Sequence, residues 1–410
     1  MKRSPFLFIL LCACASLAKA QDFKLFNRTV QVHGFVSQGF AYSNQNNFLT
    51  MNTSQGSGKF TDVGLTMTTQ ITDKLRMGAQ VYDRGIGQLG RWHPNLDWAY
   101  LDYKFNHHFG IRVGKIKTAL GLYNQTQDAE FLHTWAILPQ AIYPLDLRST
   151  NLAHLGGDIY GTFSLHRGGS LAYTLYWGEK NVEKTSGWFY SNLDTGYPVR
   201  RIFGPMYGAD LNWTTPVRGL TLGESWSWQH DHWDGGPIVA GPLNGLPPED
   251  NGKLWTAITP HKWVSVSYAD YQRGKWHFTA EGLRDYEDTG LQRIDNAGPS
   301  GTAPGPWSLF PYGYMGWYVS AAYRIDKRLE LGAYDSQYQY LGIPSPDHCF
   351  DRTIAARIDL NRFWDVKVEG HFMTGDGGAE QGAAHGFYLF DNPTLTHATK
   401  LLVVRTGFNF

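Results

Sequence analysis

Cysteine is nearly absent. Three occur in 410 residues, and two of them, Cys12 and Cys14, fall within the first twenty. That segment has a basic start at Lys2 and Arg3, an apolar run from Phe6 to Leu17, and Ala18-Lys19-Ala20 before Gln21, which is the layout of a cleavable secretory signal. Cys14 could alternatively mark a lipoprotein, although Cys12 stands where such signals carry a small uncharged residue. Cleavage near Ala20 leaves Cys349 alone, which excludes an intramolecular disulfide even in an oxidising compartment.

Net charge is lacking as well. Lys2, Arg3 and Lys19 leave with the leader and no acid does, so 36 − 3 = 33 basic residues face 36 acidic ones, a balance of −3. That is too even for a nucleic-acid partner. No later stretch approaches the roughly 18 apolar residues of a transmembrane helix, and the mean hydropathy is −0.35. Catalytic signatures are missing too. Asp194-Thr195-Gly196 has no second copy to share a proton with. Gly56-Ser57-Gly58-Lys59 lacks the earlier glycine of a phosphate loop, and no Gly-x-Ser-x-Gly elbow occurs. Neither an enzyme nor a cofactor is expected.

What is abundant is aromatic residues, 15% of the chain, and glycine, 46 residues. Segments of about ten residues alternate in polarity, at 30–42, 60–72, 74–84, 97–105, 109–117, 156–166, 169–178 and 205–215, then 218–231, 260–272, 274–285, 313–325, 328–340, 350–360, 362–374 and 398–410. Short turn-forming links at Asp73, Asn106-His107-His108, Arg167-Gly168, Pro216-Val217, Arg273, Asp326-Lys327 and Asn361 take turns with longer polar loops. Sixteen strands with seven tight turns at one end and eight longer connections at the other predict one all-β domain over 21–410. It is a transmembrane antiparallel β-barrel with both termini at the tight-turn end. A secreted β-sandwich or propeller would also alternate, but would not need that regular asymmetry.

Successive side chains on a strand point to opposite faces. In the last strand Leu402, Val404, Thr406, Phe408 and Phe410 share one face, assigned to lipid, and Leu401, Val403, Arg405, Gly407 and Asn409 the other. Trp226, Trp228 and Phe372 likewise face lipid, and Glu224 interrupts its strand's outward face. Inward faces should be polar and line water. They carry Arg76, Arg84, Lys104 and Arg112, with Asp102 among them, and further along Arg324, Arg357, Lys367, Arg405, Asp210, Glu281, Asp285, Glu330, Asp359 and Glu369.

The terminal Val404-Arg405-Thr406-Gly407-Phe408-Asn409-Phe410 resembles the closing segment of outer-membrane proteins. The stretches His33-Gly34-Phe35-Val36-Ser37-Gln38-Gly39-Phe40, Asp97-Trp98-Ala99-Tyr100-Leu101-Asp102-Tyr103 and Arg112-Val113-Gly114-Lys115-Ile116-Lys117 with Gly121-Leu122-Tyr123-Asn124 are similar to Gram-negative general and phosphate-selective porins. The resemblance implies a homotrimer of 16-stranded barrels in outer-membrane lipid. It implies a third loop folded into the lumen, and a C-terminal signal at Phe408 and Phe410 read by the barrel-assembly machinery. No dense arginine ladder or lysine cluster of the phosphate-selective type is present.

The third loop, 118–155, carries Phe131, Leu132, Trp135, Ile137, Leu138, Ile142 and Leu145, an apolar load ill suited to water. Its Asp128, Glu130 and Asp146, against Arg148 and His133, should face the basic wall of Arg76, Arg84, Lys104 and Arg112 across a constriction. Lys115 and Lys117 share a face with Ile111 and Val113, so a bulge there would decide which way Arg112 points. Among candidate metal ligands, His230-Asp231-His232-Trp233-Asp234 is the densest, ahead of Asp347-His348-Cys349 and a weak calcium candidate at Asp376-Gly377-Gly378-Ala379-Glu380. A solvated polar rim explains each more simply, so no metal site is assigned. The function expected is passive diffusion of small hydrophilic solutes with weak ion selectivity. The alternatives are a binding or adhesion barrel and a barrel enzyme.

Overall fold

The computed structural model describes residues 21–25, 28–90, 92–241, 246–287, 290–294, 307–309, 312–341, 348–375 and 395–410. The leader at 1–20, Asp347 and the calcium candidate at 376–380 lie outside them.

Sixteen long strands close into one antiparallel ring. They are β1 (Arg28–Ser43), β2 (Ser57–Gln70), β3 (Leu75–Ile86), β4 (Asn95–Lys104), β5 (Gly110–Lys117), β6 (Ala153–Ser164), β7 (Ser170–Asn181) and β8 (Val199–Thr214). β9 (Leu220–Pro237), β10 (Leu254–Arg273), β11 (Trp276–Glu287), β12 (Tyr312–Arg324), β13 (Leu329–Tyr340), β14 (His348–Asn361), β15 (Trp364–Gly375) and β16 (Ala398–Asn409) follow. Each pairs with the next, and β16 closes on β1 from Leu401↔Ser43 to Asn409↔Phe35. Among the described residues three short strands, Gln21–Leu25, Leu291–Ile294 and Ser308–Leu309, lie outside the ring. No helix of the described residues is long and apolar enough to cross a membrane.

Local chemistry fixes the short links. Asp326 Oδ1 accepts the N–H of Arg328 at 2.7 Å and of Leu329 at 3.0 Å, Asn361 Oδ1 accepts that of Phe363 at 2.8 Å, and Thr72 Oγ1 accepts that of Leu75 at 3.0 Å. At the other end the strands run further than polarity alternation indicates. β8 begins at Val199 and β10 at Leu254, six residues earlier than expected, and Asp234 pairs with both Arg201 and Thr256. The 254–259 extension carries apolar residues on both faces, Leu254 and Ile258 on one and Trp255 and Ala257 on the other, so polarity alternation does not mark it.

The pleat follows the sequence reading. Val403 is fully buried and Leu402 is 44% exposed. On the exposed face Trp177, Tyr207, Trp228, Trp263 and Tyr286 sit directly opposite one another across β7–β11, forming an unbroken aromatic row at the long-loop end. Near the short turns Tyr271 stacks on Phe278, and Trp276 meets Tyr323 at 4.6 Å. Aliphatic Leu101, Val113, Leu175, Val319 and Ile354 are exposed on the same outer surface, so two aromatic bands bracket an apolar one, the pattern of a barrel in a bilayer.

One expectation needs correction. The inner face is not polar throughout, because Val264, Val266, Leu283, Tyr318, Leu401 and Val403 are buried on it. They share a core with Trp135, Ile137, Leu138, Ile142 and Tyr143 of the connection 118–152 and with Phe48, Leu49 and Met51 from the connection after β1. Apolar wall and apolar loop remove each other from water, at about 25 cal/mol per Å² of apolar surface. Glycines permit the close approach. A Cβ at Gly316 would strike the Ala141 carbonyl, and one at Gly407 the Glu130 carboxylate.

Candidate functional site

The charged interior begins at β3–β6. Arg76 Nη2 lies 3.2 Å from Asp102. Arg112 points inward, 2.7 Å from Asp158, with its guanidinium over the Tyr100 and Tyr160 rings at 5.9 and 5.0 Å. Arg84 is buried and donates to the Leu145 carbonyl of the 118–152 connection. Lys104 stands exposed beside the short turn. The phase question at β5 resolves without a bulge in that strand, whose register with β4 and β6 is unbroken and keeps Arg112 inward; the bulge lies one strand earlier, in β4. The β3–β4 register shifts between Gln80 and Val81, which leaves Asp97 as the extra residue and turns it inward. Lys117 follows it, reaching Asp128 and, at 3.8 Å, Asp97. Lys115 stays with the outer side and meets Glu183 at 3.4 Å.

The residues of the connection do not form an acidic face opposed to a basic wall, and here the expectation is corrected. Asp128 takes Lys117 and Gln80, but Glu130 turns to β15, where Lys367 Nζ lies at 2.5 Å. Arg148 makes a two-pronged pair with Asp97 at 2.8 and 2.9 Å, a loop cation on a wall carboxylate. Asp146 is fully buried. The charges therefore interleave.

Further fastenings involve residues that sequence reasoning did not single out as partners. Glu369 accepts the N–H groups of Ala136 and Ile137 at 2.7 and 3.1 Å, while Arg405 donates to the Ala136 carbonyl at 2.7 Å and Arg357 to that of His133 at 2.8 Å. Glu281 accepts from the Leu122 N–H at 2.7 Å and the Tyr143 hydroxyl at 2.8 Å. Behind Glu369, His371 is held between it at 3.3 Å and Asp351 at 2.9 Å. Asp62 and Asp158 also escaped notice, yet period-two counting from Phe60 and from Tyr160 places both on the buried face. Asp97 carried no such signal, since its bulge breaks the count.

Burial pushes the His133 imidazole down to about 4. Burial opposes ionisation of Glu130 and Asp128, but Lys367 and Arg405 for the first, and Lys117 and Arg148 for the second, outweigh it and hold both below their ordinary values. Two cavities flank residues 125–135. One of about 480 Å³ is lined by Trp98, Tyr100, Arg112, Lys117 and Asp128. The other, about 300 Å³, is lined by His133, Trp135, Arg324, Glu330 and Arg357.

The metal candidate at 230–234 splits across the sheet. His230 and His232 lie together with ring centres 4.6 Å apart, and Asp231 turns inward to Lys180 at 2.7 Å. Among the described residues no group of three His, Cys, Asp or Glu side chains is arranged for a metal.

Neither a family model nor any curated protein matches the sequence. Solved structures do match the fold. OmpT of Vibrio cholerae, expressed in the outer membrane, superposes with a TM-score of 0.56 at 10% identity, over 95% of this chain and 100% of its own. The fold is that of the outer-membrane porins. The outer membrane channel DcaP of Acinetobacter baumannii gives 0.53 at 11% identity over 95% and 99%. The anion-selective porin from Comamonas acidovorans gives 0.52 at 11% over 93% and 100%. A trimer form of in-vitro folded OmpT gives 0.54 at 10% over 93% and 99%. With this porin fold, the outward aromatic bands and the charged interior fall where a membrane barrel has its lipid face and its lumen.

Proposed function

We propose that the protein is an outer-membrane porin through which small hydrophilic solutes diffuse passively, with weak ion selectivity. The observation that carries this reading is the closed ring of sixteen strands, a size at which a barrel leaves an aqueous passage instead of filling with its own side chains. In this reading the 118–152 connection crosses the lumen as a constriction. Arg76, Arg84, Lys104, Arg112, Asp128, Glu130, Asp146 and Arg148 line or brace the path, and the barrel assembles as a homotrimer. The mature chain, freed of residues 1–20, is recognised through Phe408, near the end of β16, and Phe410 just beyond it, both half-buried.

A second reading, a barrel that binds or adheres without conducting, draws on the apolar core shared by the inner wall, the 118–152 connection and Phe48, Leu49 and Met51. Planar-bilayer recording of the folded protein separates the two. Stepwise conductance supports the porin. A stably inserted barrel that never conducts overturns it.

A further inference from the structure

Glu224 faces outward from the barrel wall. Its register is unbroken on both sides, Leu211↔Glu224↔Ser267, so no bulge turns it inward. It shares the outer face of β9 with Leu222, Trp226 and Trp228, while Ser225 and Ser227 are buried behind it. Arg284 on β11 has the same setting, exposed between the buried Leu283 and Asp285. Neither Glu224 nor Arg284 has an ion pair or side-chain hydrogen bond among the described residues.

Position along the strand makes both charges costly. Trp228 belongs to the aromatic row at the long-loop end, opposite Tyr207 and Trp263. Leu222 is opposite Trp213, whose indole donates to the Gly168 carbonyl of a short turn at 2.7 Å. Glu224 lies between them, four residues from Trp228 and two from Leu222. At about 3.3 Å per residue it is roughly 13 Å along the strand from the long-loop row. Arg284 lies two residues from Tyr286 of that row and six from Phe278, which stacks on Tyr271 near the short turns. Both charges fall between the two aromatic bands, where hydrocarbon offers neither water nor a partner and a charge destabilises a barrel.

The surface between the two is small and polar. Ser265 and Ser267 stand outward on β10, and Gly282 on β11 is so open that a Cβ there would meet nothing within 4 Å. Elsewhere the same belt presents Leu101, Val113, Leu175, Val319 and Ile354. Asp335 and Arg352 also point outward, on β13 and β14, but they face each other at 3.7 Å. Glu224 and Arg284 have no such neighbour on their own wall.

We infer that the outer face of β9–β11 is where one copy of this chain packs against the next, with Glu224 of each copy on Arg284 of its neighbour. The inference rests on the homo-oligomer proposed above and names its face. A face that carries one charge of each sign is complementary to itself. Around a closed cyclic axis the β9 side of one copy meets the β11 side of the next, so every carboxylate finds a guanidinium and both leave the hydrocarbon together. Ser265, Ser267 and Gly282 give the two walls room to approach. A lipid could not substitute, because its headgroup charge lies outside the belt.

The test is disulfide capture in the membrane, before any detergent is added. Ser267 lies midway between the two charges, so oxidised Ser267→Cys should link two copies of the chain, and Val113→Cys, on the wall at β5, should not. Cys349 is buried and does not compete. In mild detergent, Glu224→Arg and Arg284→Glu should each weaken association about tenfold or more, and E224R/R284E should restore it. Glu224→Gln, which places no charge in lipid, should weaken it in the same direction, and heat-modifiable gel mobility verifies that each variant is folded. An oligomer that links through Val113→Cys and not through Ser267→Cys overturns this face and leaves the homotrimer standing. A parent that stays monomeric in the membrane overturns both. Single reversals without effect, no recovery in E224R/R284E, or a Ser267→Cys adduct to a chain of different mass would each overturn the assignment as well.

Discussion

At the scale of single residues, the closest dependence is between Lys367 and Glu130, both almost completely buried and 2.5 Å apart. Removing one partner leaves the other charged and desolvated. Lys367→Met should therefore cost about 3–5 kcal/mol, whereas the double change with Glu130→Met should recover most of it, because the desolvation penalty then leaves with both charges. Denaturant unfolding of the barrel in vesicles measures both, and equal losses in the single and double variants would show that the pair is not coupled. Val404 makes the opposite point. It shares the outward face of β16 with Leu402, beside the buried Val403, so an Arg there meets hydrocarbon at a cost on the order of 2–4 kcal/mol. A Val404→Arg barrel as stable as the parent in the same assay would mean the faces of β16 are assigned the wrong way round.

At the scale of elements, the connection 118–152 is the part whose behaviour should change with pH. His133 is held down to about 4 by burial, against an ordinary 6.5. When the segment leaves its seat the imidazole regains the ordinary value, so the undocked state binds the extra proton between those pH values. Docking consequently weakens as pH falls from about 6.5 to about 4, by on the order of 3 kcal/mol in all, and this group adds nothing further below. Glu130 and Asp128 act in a different window. Lys367 and Lys117 keep them ionised below their ordinary range, so their contribution is complete above it and fades only as pH drops through the lowered values. Hydrogen exchange over residues 126–137 should accelerate between pH 6.5 and 4 after correction for intrinsic rates. His133→Gln should remove that window and leave the lower one, and identical profiles for both proteins would reject the assignment. The same element shows where sequence reading ran out. Strands and turns were legible because their causes are local: alternation at Leu402–Val403, or Asp326 folding back on Arg328 and Leu329. Partners of the connection were not, since Lys367 is 237 residues from Glu130 and only the closed ring brings them together. Its apolar load was visible, but the matching apolar patch at Val264, Val266 and Leu283 reads as an ordinary mixed strand until the loop lies against it. The polarity of the charged cluster failed for a smaller reason. One inserted residue at Asp97 moves an acid onto the wall assumed to be basic.

At the scale of the whole molecule, the interleaving of charge sets what the proposed channel should select. Arg112 with Asp158, Arg148 with Asp97, Lys367 with Glu130, and Arg324 with Glu330 and Asp359 are compact pairs or triads inside the ring. Opposite charges that close together cancel beyond a few ångströms, and salt screens the remainder over about 10 Å at 0.1 M. A small reversal potential in a salt gradient is therefore expected of the parent. What asymmetry remains lies at the short-turn mouth. There Lys104 is exposed with no ion pair among the described residues, and Arg76 is half exposed, paired with Asp102 and donating to the Tyr100 hydroxyl at 3.3 Å. Arg84 does not belong with them, because its guanidinium is spent on the Leu145 carbonyl and its removal would loosen the connection instead of changing the field. Arg76→Gln with Lys104→Gln should leave single-channel conductance near the parent value and shift the reversal potential toward cations, since two positive charges leave the mouth and Asp102 loses its ion-pair partner. Arg84→Gln should do the reverse, altering conductance or its noise with little change in selectivity. The two variants together make the reading testable. If Arg76→Gln with Lys104→Gln leaves the reversal potential unchanged while Arg84→Gln shifts it, the ion path runs past Arg84 and the mouth residues stand aside from it.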